Sequence, residues 1–222
     1  MYCGATAELT DDHIPPRNLF PPPRPSTLIT VRSCPRHNLD SSLDDEYFRV
    51  MLTLRADVSR NPAVQQVRSA VLRSLDRPTK HRFRDAFHGS FKRVLLYGPD
   101  GRPVVDQQTY SVSLDRLCWV VARTTAGLFS REIGRRLPTD QYLVGANLTT
   151  EVEFERNPVL EWGRQKLLAA SEVVIAPGVY RYRYATLQFD PNCTVWWHTF
   201  YETVDFIAAT MPTKEVEEHD AV

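Results

Sequence analysis

Apolar residues fall into helical register only after residue 42. Phe48, Met51, Leu52 and Arg55 share one face of a helix predicted over 46–58, with Asp44 or Asp45 as its cap. Asn61-Pro62 opens a second helix, the amide capping it and the proline in its first position. Val64, Val67, Ala70, Val71 and Leu75 form its stripe, and Arg77-Pro78 closes it. A third, basic helix is predicted over 79–92. Residues 94–97 and 102–105 flank Gly98-Pro99-Asp100-Gly101 and read as a β-hairpin. The longest helix is predicted over 113–137, where Leu117, Val120, Val121, Leu128 and Ile133 recur at helical spacing before Pro138.

The last third is mixed. Residues 159–170 read as a short helix. Tyr180-Arg181-Tyr182-Arg183-Tyr184 alternates as a strand with two unlike faces, tyrosines inward and arginines outward. Residues 194–200 and 204–209 are further strands, the second so apolar that it should be central. The first 42 residues have no helical period, and Pro15, Pro16, Pro21, Pro22, Pro23 and Pro25 exclude both helix interior and central strand. So long a loop needs a pin at both ends, and a metal site would supply one. The expected fold class is α+β. Residues 1–60 form a small metal-binding module, 61–212 a mixed domain with antiparallel sheet, and 213–222 an acidic, disordered tail.

Composition narrows this only a little. The 222 residues are 42% hydrophobic and 24% charged, as in a globular protein. No apolar run approaches a membrane span and no signal peptide is evident, so a cytoplasmic protein without a membrane partner is expected. Its four cysteines are then thiols or metal ligands rather than disulfides. Lys plus Arg equals Asp plus Glu, 27 against 27, so net charge gives no sign of nucleic-acid binding. Locally, Lys80, Arg82, Arg84, Lys92 and Arg93 make a basic run that could meet phosphates.

The candidate chemistry sits at the N-terminus. Asp12-His13 is followed by Ile14-Pro15-Pro16, and about twenty residues later comes Cys34-Pro35-Arg36-His37-Asn38. Phosphodiester hydrolysis needs a base for water and positive charge for the phosphate. In extended backbone Asp12 and His13 face opposite sides, so one can hold a metal while the other faces the attacking water.

These residues resemble the HNH (ββα-metal) endonuclease superfamily: Asp12-His13-Ile14-Pro15-Pro16 looks like its DHxxP element and Cys34 to Asn38 like its CxxCN element. Bacterial HNH proteins of this size are similar around residues 12–21, 26–34, 44–49 and, more loosely, 127–138. The resemblance implies a ββα-metal or treble-clef-like module and a DNA endonuclease, DNA favoured over RNA. Asp12 and Asn38 would bind Mg2+ or Mn2+, with His13 as general base. Cys3, Cys34 and His37 would hold a structural Zn2+ that lacks its fourth ligand, because no cysteine precedes Cys3 by three residues. Either the true start lies upstream or the zinc site has decayed. Thr27 stands where the motif usually carries a positioning Asn. The alternative is a catalytically degenerate module with a structural or binding role. Elsewhere, Cys118 reads as a buried structural thiol, Cys193 as a thiol in a turn, and His198 as a satisfied, half-buried histidine.

Overall fold

The computed structural model describes residues 8–35, 38, 41–76, 81–149, 158–187 and 189–213. The expectations for Cys3, His37, Lys80 and residues 214–222 lie outside these, as does the side chain of Arg82.

Short strands β1 (Thr10–His13) and β2 (Thr30–Ser33) pair antiparallel, with Asp12 opposite Val31 and His13 opposite Thr30. Helix α1 (Ser42–Thr53) follows, then α2 (Pro62–Leu75) and α3 (His81–Gly89). Strands β3 (Lys92–Tyr97) and β4 (Pro103–Thr109) form a separate hairpin, and α4 (Leu114–Ile133) is the longest helix described. After β5 (Tyr142–Leu148) and α5 (Pro158–Ala169) the chain lays down β6 (Val173–Ala176), β7 (Tyr180–Leu187), β8 (Asp190–Phe200) and β9 (Val204–Pro212). These last four join β5 in one antiparallel sheet of order β5-β9-β8-β7-β6. The α+β class is therefore as the pattern predicts.

Every second residue of the sheet's central strands faces α1 and α4. Tyr180 and Tyr182, Trp196 and Phe200, and Val204, Phe206 and Ala208 are all buried. Phe48 of α1 meets Phe200 edge-to-face at 5.1 Å between centroids. His198, expected half-buried, is fully buried between Thr125 Oγ1 of α4 (2.9 Å) and Tyr180 Oη (2.8 Å). Burial pushes its pKa down to about 3, so it sits in the core as neutral imidazole. The outward arginines of β7 meet local partners: Arg181 and Arg183 each approach Glu172 to 3.3 Å, and Arg183 donates to Ala170 O.

Some boundaries move for local reasons. The basic helix stops at Gly89, so Lys92 and Arg93 belong to β3 instead. Helix α4 ends at Gly134, whose left-handed φ of 75° terminates it ahead of Pro138. Cys193 lies in strand β8 and is buried rather than in a turn. Cys118 is only partly buried, because its neighbour Trp119 faces outward on α4. The cap of α2 is as predicted: Asn61 accepts from the N–H groups of Ala63 (2.9 Å) and Val64 (3.2 Å).

The proline-rich segment 14–29 is held by the core along its length. Ile14, Leu19, Phe20 and Ile29 are buried, and Ile14 N–H donates to Ile29 O. Tyr201 Oη donates to Leu19 O at 2.9 Å, and Asn18 Nδ2 to Asp45 O at 3.2 Å. Thr27, which stands where the motif usually carries a positioning Asn, tethers the loop by donating to Ile175 O of β6 at 3.0 Å. Among the described residues no helix is long and apolar enough to cross a membrane.

Candidate functional site

The site is built where β1 lies on α4. Asp12 and Ile14 point to the helix, and Arg123 and Gly127, one turn apart, receive them. Two strand residues advance about 6.6 Å and four helical residues about 6 Å, so the two spacings match. A methyl added to Gly127 would lie 2.5 Å from Ile14 Cδ1, which is why glycine stands there. With its two neighbours turned inward, His13 faces the other way.

Arg123 is 4% exposed and Asp12 3%. The Arg123 Nη1 lies 3.4 Å from Asp12 Oδ2, and the guanidinium also donates to Ser41 Oγ and to Asp45 of α1. Burial raises the Asp45 pKa to about 6, outweighing the attraction of Arg123, with Asp12 and Asp44 pushing the same way. Between its ordinary value and about 6, the folded state binds this proton more tightly than the unfolded chain. Stability from Asp45 therefore falls as pH rises through that window, by on the order of 2–3 kcal/mol in total. Denaturant titrations at pH 4.5, 5.5 and 7 should show this slope flattened in Asp45→Asn; an unchanged slope would refute the assignment.

His13 is partly buried, and its ring has no hydrogen-bond partner among the described residues. Burial, then Arg17, lower its pKa; Asp12 opposes them, and Arg24 adds to the lowering. The imidazole is therefore a neutral, unengaged base at neutral pH.

Asn38 follows β2 in helical conformation, its N–H donating to Cys34 O at 3.1 Å. Its side-chain nitrogen donates to Thr10 Oγ1 at 2.8 Å and to the Asp11 carbonyl at 3.1 Å. The amide oxygen takes part in neither bond and is left for another partner. Carboxylate and amide oxygens are the hard donors that Mg2+ and Mn2+ take, so Asp12 and Asn38 fit such an ion by donor type. The Asp12 carboxylate would have to share that ion with Arg123. Among the described residues no three His, Cys, Asp or Glu side chains converge as metal ligands. Cys34 is partly buried at the end of β2, and its proposed zinc co-ligands Cys3 and His37 lie outside the described residues.

The basic run is not drawn to this site by its polar partners. Arg84 pairs with Asp85, and Arg93 crosses the β3–β4 hairpin to Asp106. Helix α3 packs through Phe83 on Tyr47 and through Phe87 on Tyr110. The cations that bear on His13 are Arg17 and Arg24, which sequence reasoning passed over as loop residues. Arg123 was missed too, because nothing near it in sequence marks its partner 111 positions away.

The chain matches no family model, no curated protein and no solved structure.

Proposed function

We propose that the chain is a divalent-metal-dependent endonuclease that hydrolyses phosphodiester bonds in DNA, with His13 as general base. The observation that carries this reading is the state of His13: a neutral imidazole without a hydrogen-bond partner among the described residues, on the strand that carries Asp12 and to which the Asn38 amide is bonded at Thr10 and Asp11. The order of strand, strand and helical Asn38 is also that implied by the ββα-metal resemblance. His13 takes the proton of the attacking water, and β1 holds the ring by seating Asp12 and Ile14 on α4. Asp12 and Asn38 would hold the cation, which would supply positive charge for the phosphate and the leaving oxygen.

A second reading is favoured by one contact. Arg123 lies on the carboxylate that would bind the metal, as it would if the module were catalytically degenerate and Asp12 purely structural. Supercoiled plasmid incubated with the full chain separates the two. Nicking is expected with Mg2+ or Mn2+, is lost on chelation, and is weakened in Asn38→Ala. Protein saturated with either metal that never nicks DNA or RNA would leave only the structural reading.

A further inference from the structure

Many of the arginines are spoken for: Arg32, Arg55, Arg93 and Arg116 each lie within 3.0 Å of a carboxylate. Arg17 and Arg24 are exposed and have no carboxylate partner among the described residues. They are also next to one another: Arg24 Nε donates to Arg17 O at 3.3 Å. That bond fixes one edge of the Arg24 guanidinium and leaves its two Nη groups, a fork suited to a tetrahedral oxyanion.

Their mounting is rigid for a loop. Leu19 and Phe20 are buried between them, and the loop is tied to Tyr201, Asp45 and Ile175. Ordering these arginines on a ligand therefore costs little backbone entropy. The neighbouring acid Asp11 is neutralised by Arg32 at 2.9 Å, so it repels an approaching anion less.

We propose that Arg17 and Arg24 form a phosphate clamp beside His13, so that the DNA backbone crosses segment 14–29 rather than the basic run Lys80, Arg82, Arg84, Lys92 and Arg93. The clamp deepens the nuclease reading by placing the substrate, and it rests on that reading for taking the anion to be a phosphodiester.

Binding of the full chain to a short fluorescent DNA duplex, measured with chelator present over a range of salt, tests it without requiring cleavage. Arg17→Gln with Arg24→Gln is expected to weaken binding at least ~10-fold and to lower the slope of log K against log salt by about 2. Arg84→Gln with Lys92→Gln should leave both unchanged. Lysine at 17 and 24 should restore the salt slope but only part of the affinity, since it keeps the charge and loses the fork. If the double glutamine variant binds like the parent, or the parent does not bind DNA even at low salt, the clamp is refuted. A parent that binds through these arginines yet never cuts would keep the clamp and discard the nuclease. A parent that cuts while the double variant binds and cuts equally well would do the reverse.

Discussion

Replacing His13 with alanine is expected to slow DNA nicking by about 100- to 10,000-fold, the range over which a general base contributes. The fold should survive, because the ring is only partly buried and has no hydrogen-bond partner among the described residues. Unfolding by denaturant should therefore match the parent while activity is lost. The pH profile carries independent information. Burial and Arg17 lower the pKa of His13, so the base is active at neutral pH and the acid limb lies below that of an ordinary histidine. Activity should hold as pH falls from about 8 towards 6.5 and decline only below that. A His13→Ala variant that nicks at the parental rate, metal for metal, would remove this residue from the chemistry.

Arg123→Met should produce the largest loss of stability, about 3–5 kcal/mol at pH 7–8, because Asp12 and Asp45 would stay buried without their shared guanidinium. Methionine keeps the stem's packing, so the loss reports charge rather than a cavity. Its pH dependence has a definite sign. A carboxyl already pushed up to about 6 takes a proton more readily once the arginine is gone, which relieves the stranded charge. The penalty should therefore be smaller at pH 5 than at pH 8, as read from guanidinium unfolding midpoints. A variant as stable as the parent at both values would mean that the cluster does not hold the hairpin to α4.

How far the sequence reveals this molecule depends on the range of the forces involved. Asn61-Pro62 could be read directly, because capping is settled within three residues. The alternation of Tyr180 to Tyr184 was legible because strand geometry sends successive side chains to opposite faces. Strands β1, β2, β5 and β6 were not read, being short or lacking a clean alternation, and their pairing is decided by partners far along the chain. The proline-rich segment was legible only in part, for a different reason. Leu19 and Phe20 belong to no periodic stripe, so nothing local shows that they fill the core, and a metal was the only pin in view. At the site, Asp12, His13 and Asn38 were legible as residue types. What Asp12 touches was not, since a lone arginine inside an apolar helix reads as a residue turned to solvent.

The matched spacing of Asp12 and Ile14 against Arg123 and Gly127 makes α4 a ruler for the strand that carries His13. One residue inserted between 123 and 127 would turn the second receiving position by a further ~100°, to about 140° from the first, and β1 could then satisfy one of them only by giving up the other. A slip of β1 by one residue would be worse: it would drive His13 against the helix and set Asp12 in solvent. The direction of the His13 ring is thus fixed by a length measured along a helix some hundred positions downstream. Natural variation in that helix should fall on its outward face, be slight at 123 and 127, and leave the length between them unchanged.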